Sequence, residues 1–558
     1  MSNSRQTNAN MGHSDPIKLN LIDRAVRYLN PSAGIERVRS RAVFSRLEEH
    51  GFITGGSSKR SMRGWNPPEQ TADQDIIPKQ SSMRASSRDL YMNTPLATGA
   101  IRRLKSNAIG FGLRLQCRID RETLGLSDEK ADAWEMNTER EWLSYSESIE
   151  CDASRTLKFP QLTSQAFFST LLNGDTFTLL PKIPRTGQVY DTRIHLVEGD
   201  YVCNPSFLMD TIAIAGGVEI DEWGAPIAYH FRKAMPNSQI DFGAYGVNKW
   251  ERIPVYGETS GRQQVFHLFD KERPGQRRGF PFVTPVVDEL KQITRLSKAE
   301  IEAAIINSYF TVFVKSNSPV ADIMGGGYVP PSSDYSPGTS GTSILNEDDA
   351  RDEKLYEMGK GNIIEMDPDE SIEIADPKRP NANFEPFFLA IVKQIGSAIN
   401  IPFEQLMLHF NSSYSASRAA IQEAWKFYRE RRLWASDYFC QPIYTEWMVE
   451  AILKGRIVAP GFFSDPVIQS AWLGSVWIGP GQGQLDPLRE TKASVMRINN
   501  FLTTYEDEYE SLTGKDWRGG VNRRSREEEL LKEKDLKPEI VENTTAEQVV
   551  EAMADETT

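Results

Sequence analysis

The sequence predicts an α+β fold in which short strands gather in one half of the chain and long helices in the other. Between residues 85 and 280, runs such as TFTLLPKI and TRIHLV read as strands and alternate with helix-like segments. A long amphipathic helix is predicted to begin near residue 283, and a longer one near residue 415. Strands separated in this way from runs of helices are typical of α+β proteins.

The first half supplies the strands. Helices are predicted near residues 88–108, 131–146 and 160–173, where apolar residues recur at helical spacing. The segment VEIDEWGAPIAYHF predicts a β-hairpin, because two alternating runs flank a turn that contains Gly224 and Pro226.

The second half opens with a helix that starts at VVDEL and has two stripes. Val286, Leu290 and Ile293 begin an apolar stripe with near-heptad spacing. A charged stripe runs beside it, for which a solvated face is the simplest interpretation; it contains Lys291, Arg295, Lys298 and Glu302.

A β-containing insert separates this helix from the next. GNIIEMDPDESIEIADP predicts two strands joined at Asp367, Pro368 and Asp369. A helix is then predicted over 383–399, and a very long one over about 415–455, kinked at Pro442.

The C-terminal part is predicted to be helical. Asp486 has the side chain of a good N-cap and Pro487 suits the first helical position, so a helix is predicted to start there. A charged helix is predicted near 524–535.

Composition excludes several classes of protein. The net charge of −13 does not suit a tight nucleic-acid binder, so any contact with DNA is expected to be local and weak. The four cysteines are scattered, which argues against disulfides and zinc sites and fits a reducing compartment. No signal peptide and no run of 18 apolar residues is present, so a soluble chain without a membrane span is expected.

The search for catalytic motifs favours a protein that is not an enzyme. No phosphate-binding loop, H-E-x-x-H or G-x-S-x-G motif is present, and no two of the six histidines lie at metal-ligand spacing. His195, His230 and His267 fall in strand-like runs. GPGQGQ at 479–484 is interpreted as a loop. No catalytic residue, metal or cofactor is therefore predicted.

Aromatic residues on the long helix have two interpretations. Trp425, Tyr428 and Trp434 could stack on bases, but their helical spacing favours packing in a core or a subunit interface.

The order of these elements, together with three local sequences, resembles the portal proteins of tailed bacteriophages, and the lambda-type family in particular. INIPFEQLMLHFNSSYSASRAAIQEAWKFYRERR resembles that family's hydroxyl-rich loop and the tryptophan-bearing helix after it. WIGPGQGQLDPLRETKASVMRINNFLTTYEDE resembles its C-terminal segment, and VEIDEWGAPIAYHF resembles its wing hairpin. The resemblance covers most of residues 20–530.

The resemblance implies a portal fold with long helices lining the channel of a ring. It divides the chain into a disordered N-terminal arm (1–20), an α+β wing (21–282), a first stem helix (283–315), a β-containing clip (316–382), a second stem helix (383–404), a tunnel loop (405–417), a long kinked helix with a return to the wing (418–484), a helical crown (485–535) and a disordered acidic tail (536–558).

The implied function is that of a portal, a dodecameric ring in this family, at one vertex of the capsid. Double-stranded DNA would be packaged and ejected through its channel. Implied partners are other copies of the chain, the terminase large subunit, the major capsid or scaffold protein, and head-completion or adaptor proteins, with no membrane. The ring would be assembled in the host cytoplasm and kept in the virion.

Two sets of DNA-channel residues are expected. In the tunnel loop they are Ser412, Ser413, Tyr414, Ser415 and Arg418, although Ser415 or Ser417 would also suit a plain helix N-cap. In the stem they are Lys291, Arg295, Lys298 and Lys393, which could instead pair with acids of a neighbouring subunit.

Two alternatives from other classes stay open. One is another structural adaptor of the phage head and tail, which would not need the order of helix, β insert, helix, loop and long helix. The other is a metal-dependent nucleic-acid-processing enzyme that uses Asp367 and Asp369, for which a turn between strands is the simpler interpretation.

Overall fold

The protein is described here from a computed structural model, which covers residues 68–232, 250–308, 312–316, 370–374, 383–409, 414–483 and 486–536. The chain divides into two units, Met1–Thr71 and Ala72–Thr558, and the elements below belong to the second. The predicted N-terminal arm, most of the predicted clip and almost all of the predicted acidic tail lie outside the described residues.

Helices make up most of the described part. In chain order they are α1 (Ala72–Ile76), α2 (Gln80–Asn93), α3 (Pro95–Ala108), α4 (Arg121–Leu124), α5 (Asp128–Ser146), α6 (Phe159–Asn173), α7 (Val287–Ser308), α8 (Phe384–Ala398), α9 (Phe403–Met407), α10 (Tyr414–Ala435), α11 (Gln441–Leu453), α12 (Pro466–Trp472), α13 (Pro487–Asn499), α14 (Tyr505–Thr513) and α15 (Trp517–Glu533).

The strands are short and form small antiparallel sheets. In chain order they are β1 (Arg114–Cys117), β2 (Asp175–Leu179), β3 (His195–Glu198), β4 (Ile214–Ala215), β5 (Val218–Ile220), β6 (Pro226–Arg232), β7 (Trp250–Pro254), β8 (Val265–Phe269), β9 (Val312–Ser316), β10 (Glu370–Ile374) and β11 (Ser475–Ile478). The strand orders are β3-β2-β8, β4-β5-β6-β7, β1-β11 and β10-β9. The mixture of helix and sheet confirms the predicted α+β class.

The predicted hairpin is confirmed. Strands β5 and β6 pair antiparallel, and the turn between them is held by Asp221, whose carboxylate accepts from the amides of Trp223 and Ala225 at 2.9 and 2.8 Å. Gly224 has φ +84°, a conformation that favours glycine. Strands β3, β6 and β8 contain His195, His230 and His267, as expected.

The β insert differs from its prediction. Strand β10, the sequence ESIEI, pairs with β9 immediately after the first long helix. Helix α7 ends at Ser308, so the predicted helix over 283–315 is wrong at its end, where Val312–Ser316 is a strand. The β-branched residues of VFVKS favour a strand there. The GNIIEM segment, predicted to be the partner strand, lies outside the described residues.

The long helix is interrupted one turn earlier than the sequence indicates. Helices α10 and α11 are joined by a π-helical turn, Ser436–Cys440, immediately before Pro442. Proline has no amide hydrogen and its ring crowds the carbonyl one turn back, so an extra residue in the preceding turn accommodates both.

One main hydrophobic core joins the helical and sheet parts. Its centre is aromatic: the Trp142 ring contacts Phe159, Trp447 and Trp477 edge to face, with centroids 5.0–5.9 Å apart. The core extends to Leu290 at the base of α7 and to Val392 on α8. A second, smaller core around Phe177 and Phe231 lies between the three- and four-stranded sheets.

A buried carboxylate ties this second core to the helices. Asp175, at the start of β2, is 2.7 Å from a guanidinium nitrogen of Arg84 and 2.6 Å from one of Arg278. Arg278 also donates to the carbonyls of Gly199, Val202 and Gly216. Burial opposes ionisation of Asp175, but Arg278 and Arg84 outweigh it and hold its pKa well below the usual range.

The C-terminal helical region, defined here as residues 486–536, docks on the rest through polar contacts. None of its apolar side chains belongs to either core, and its buried residues are Ser494 and Glu508. Gln116 of β1 donates to Glu506 at 2.9 Å and to Asp516 at 3.1 Å. The predicted start is confirmed, since the Asp486 carboxylate caps α13.

Glu139 of α5 lies at this junction. Its carboxylate accepts from the amide of Cys117 at 2.8 Å. Burial raises its pKa to about 7, and the nearby carboxylates of Asp516 and Glu135 add to the rise, against the Cys117 hydrogen bond and Arg518. In the described residues, no helix is both long enough and apolar enough to cross a membrane.

The first prediction concerns the buried carboxylate. Asp175→Asn should lower the free energy of unfolding by about 3–5 kcal/mol, because it leaves two buried guanidiniums without their counter-charge. Urea denaturation followed by fluorescence measures this. Asp89→Asn, which removes an exposed partner of Lys291, is the control and should change little. Equal, small losses in both variants would contradict the central role of Asp175.

The second prediction concerns pH. Because the folded pKa of Glu139 is raised, the folded chain binds more protons than the unfolded chain between about pH 4.5 and 7, so stability falls as pH rises through that window. Glu139→Gln keeps the acceptor oxygen and should reduce this fall, gaining on the order of 1–2 kcal/mol at pH 8.

Thermal midpoints of both chains from pH 4.5 to 8 test this. Glu129→Gln, at an exposed position of the same helix, is the control and should follow the wild type. Parallel curves for Glu139→Gln and the wild type would count against a raised pKa at Glu139.

Candidate functional site

The predicted channel residues lie on α7, α8 and α10 or next to them. Leu290 and Ile293 of α7 pack in the main core, as do Val392 and Ile395 of α8. Beyond this base the apolar stripe of α7 continues without cover in the described structure, since Ile301 is 59% exposed. One end of α7 is therefore fixed to the body, and the rest extends away from the buried core.

The predicted basic stripe is exposed. Lys291, Arg295 and Lys298 all lie on the exposed side of α7. The ammonium of Lys291 is 3.1 Å from the Asp89 carboxylate of α2, and this hydrogen bond is the main cause that lowers the pKa of Asp89. Lys298 adds to that lowering through its charge. Lys291 therefore has a partner within its own chain, which the sequence alone did not indicate.

Lys393 lies on an exposed face of α8. Its ammonium lies 5.5 Å from the centre of the Phe403 ring. The two residues line an open groove of about 550 Å³ between α8 and α10. The turn out of α8 needs Gly396, because a Cβ there would lie 2.6 Å from the carbonyl oxygen of Ile401.

The predicted tunnel loop is shorter than residues 405–417. Helix α9 runs to Met407 and α10 starts at Tyr414, so the segment is helical at both ends. Ser412 and Ser413 lie outside the described residues. Tyr414 and Ser415 form the first turn of α10, and Arg418 follows one turn later, half-buried.

Two arginine clamps fix the helices on both sides of this segment. Arg103 of α3 donates to the carbonyl of Leu406 at 2.8 Å. Arg432 of α10 donates to the carbonyls of Ala108 and Pro480 at 2.9 and 2.8 Å. Burial lowers the pKa of Arg432 to about 10.

A tyrosine links the two helices directly. The Tyr428 hydroxyl of α10 donates to the side-chain oxygen of Gln405 on α9 at 2.5 Å. Burial is the main cause that raises the pKa of Tyr428 to about 12, so the hydroxyl stays protonated and can donate. Sequence reasoning missed this link and the two clamps, because lone arginines and one glutamine carry no periodic signal.

The aromatic residues of α10 pack against other side chains of the subunit and are not presented for stacking on bases. Tyr428 is buried, and Trp425 and Trp434 pack against the main core. Arg432 lies over the Trp425 ring at 5.4 Å. The packing interpretation is confirmed.

The described residues bear on the alternative of a metal-dependent enzyme. Among them, no group of three His, Cys, Asp or Glu side chains could hold a metal ion. Asp367 and Asp369 lie outside the described residues. The described part of GPGQGQ is a loop, as predicted, and Pro480 in it binds Arg432.

Comparison with known proteins identifies the family. Residues 58–432 match the family described as "Phage portal protein, lambda family". This range covers about two thirds of the chain and includes every predicted channel residue.

The chain belongs to the lambda family of phage portal proteins.

Two relatives in this family match nearly end to end. The portal protein of Escherichia phage N15 is 25% identical over 485 residues, which is 84% of this chain and 90% of that protein. Portal protein B of Escherichia phage lambda is 24% identical over 494 residues, which is 86% and 91%. The portal family is structural, in agreement with the prediction that this chain is not an enzyme.

A solved structure is also similar. It is the neck of a native gene transfer agent particle with C12 symmetry, 11% identical, covering 77% of this chain and 92% of the other at a TM-score of 0.39. The virion of the same particle matches at a TM-score of 0.40 and equal coverage.

Proposed function

We propose that copies of this portal-family chain form a ring, of twelve subunits as the family resemblance implies, at one vertex of the capsid. Double-stranded DNA is packaged and ejected through its channel, and the ring stays in the virion after assembly in the host cytoplasm. Its partners are the terminase large subunit, the major capsid or scaffold protein, and head-completion or adaptor proteins. Long helices with uncovered apolar side chains, such as Ile301 on α7, support the ring.

The regions named from the resemblance are part of this proposal. The wing contains the described sheets other than the β9-β10 pair and the aromatic centre of the main core. Helices α7 and α8 are the stem, β9 and β10 belong to the clip, and the C-terminal helical region is the crown. The clip is the docking platform for the terminase first and for adaptor proteins later.

The observation that carries the channel proposal is the clamped segment between α9 and α10. Arg103, Tyr428 and Arg432 fix the helices on both sides of residues 408–413. Ser412 and Ser413 lead into the positive N-terminal end of α10, and Arg418 lies within its second turn. Hydroxyls, amides and one guanidinium can touch phosphates from a fixed position without reading the bases.

The charge of the chain suits a conduit. Transport requires weak binding at every step, because cargo must leave as readily as it enters. A net charge of −13 avoids a strong grip on a duplex that carries one charge per about 1.7 Å. Lys298, Arg295 and Lys393 then act as isolated bases along the bore, while Lys291 is largely compensated by Asp89.

The third prediction tests the tunnel segment. Replacing Ser413 and Arg418 with alanine should reduce DNase-protected genomes per particle at least ten-fold and leave ring assembly intact, because phosphate contacts are lost but packing is not. Lys426→Ala on the same helix, 75% exposed, is the control. Normal DNA filling of the double variant would refute the assignment of these residues to the channel.

The fourth prediction tests the stem. Arg295→Glu with Lys298→Glu should lower packaging several-fold, most strongly at low salt, where exposed charges act over the longest distance. Lys130→Glu, an exposed base on α5, is the control for net charge. If rings of the Arg295→Glu, Lys298→Glu variant package DNA normally at several salt concentrations, these bases do not face the channel.

A further inference from the structure

The C-terminal helical region exposes a large apolar face. Six side chains in an 18-residue stretch are about half exposed or more: Leu488 (51%), Val495 (49%), Met496 (64%), Phe501 (96%), Leu502 (75%) and Tyr505 (64%). These six residues are called the α13 face below. Clusters of exposed apolar side chains on a protein surface mark interaction sites.

Two members of the α13 face lie on one side of α13. Leu488 and Val495 are seven residues apart, the interval that keeps side chains on one side of a helix, whereas Phe501, Leu502 and Tyr505 follow after α13 ends at Asn499. Helices packed on another helix or on a neighbouring surface show this spacing. The face is thus built like a packing surface, yet in the described structure nothing covers it.

Phe501 is held in an unusual conformation. Its φ is +56°, in the left-handed region where glycine usually ends a helix. The amide of Leu502 closes the end of α13 on the carbonyl of Arg497 at 2.9 Å. A bulky residue is strained in that region, and the Phe501 ring is almost fully exposed. Strain at an exposed aromatic residue is typical of a functional contact.

The attachment of the region to its own chain does not use this face. Docking is polar, through Gln116, Arg118 and Arg518: Arg118 lies 3.0 Å from Glu506, and Arg518 lies 3.2 Å from Asp132. Arg518 also contacts the buried carboxylate of Glu135. The apolar side chains of the region therefore contribute little to folding of the described subunit.

The last helix, α15, has two oppositely charged halves. Arg523, Arg524 and Arg526 are followed by Glu527, Glu528 and Glu529, and all six are exposed. Residues 486–536 contain ten bases and twelve acids, so the region is nearly neutral. Such a surface has no excess of positive charge for phosphates. It does complement a second copy of itself, because a neighbour shifted along the helix presents acids to bases.

We infer that the α13 face is an interface to a second copy of this chain, and that it packs on the neighbour's C-terminal helical region with the charged halves of the two α15 helices opposed. The contact is head-to-tail, since in a closed ring of more than two copies each patch meets a different patch. This inference rests on the proposed ring and names a surface that holds it together.

Photo-crosslinking of the full chain tests the contact. A photoreactive phenylalanine at position 501 should crosslink to residues 486–536 of a second copy, as peptide mapping would show. The same probe at Trp223, 87% exposed at the hairpin tip, is the control and should give no crosslink to that region. The inference is wrong if position 501 crosslinks only to DNA or to another protein. It is also wrong if rings form and position 501 gives no crosslink.

The assembly state separates this inference from the proposed function. Rings that lack the crosslink leave the portal proposal intact. Crosslinked pairs without any ring support the contact and contradict the ring. A chain that gives neither contradicts both.

A second experiment reverses the charges of one half of α15 and measures ring assembly. The acidic variant carries Arg523→Glu, Arg524→Glu and Arg526→Glu. The basic variant carries Glu527→Lys, Glu528→Lys and Glu529→Lys. Each variant alone should need a protein concentration at least ten-fold higher than the wild type to assemble. An equal mixture of the two should assemble at the wild-type concentration, because acidic and basic α15 helices then alternate around the ring. Circular dichroism checks that both fold. If either variant alone assembles at the same concentration as the wild type, the proposed opposition of the charged halves of α15 is wrong.

Discussion

The arrangement of the sheets and of the helices around them depends on the ion pairs of the buried Asp175 carboxylate. One carboxylate meets Arg84 of α2 and Arg278 of the segment that leads into α7, and Arg278 reaches three carbonyls of the sheet region. Close packing surrounds it: a Cβ on Gly199 would lie 1.9 Å from the carboxylate oxygen. Buried charges of this kind are tolerated only when every partner is in place, so the network fixes one arrangement of these segments.

Polar anchors recur where the chain approaches the proposed channel. Arg103 and Arg432 bind backbone carbonyls, and Tyr428 binds Gln405, so α9 and α10 are held by directional bonds as well as by apolar packing. Directional bonds fix position more sharply than apolar contact does. A segment that meets moving DNA needs such a fixed base if its own contacts are to stay weak.

The C-terminal helical region shows the opposite balance. It contacts the rest of its chain through ion pairs and hydrogen bonds, close to the Glu139 carboxyl, whose pKa is raised to about 7. Its apolar side chains are exposed instead. Such a region gains little from intramolecular burial and much from neighbours. Its packing and the closure of a ring would then be coupled, because the same side chains serve both.

The sequence by itself determined the α+β class, the hairpin at Gly224, the cap at Asp486 and the long helices, because these features depend on periodicity and turn residues close together in the chain. It also carried the family, through local segments such as SSYSASRAAIQEAW. Tertiary structure alone decided the pairing of β9 with β10, the π turn before Pro442, the Asp175 network and the pairing of Lys291 with Asp89. Those contacts join residues that are distant in sequence or depend on how a turn relaxes around its neighbours, and no local pattern encodes which distant partner will be within reach.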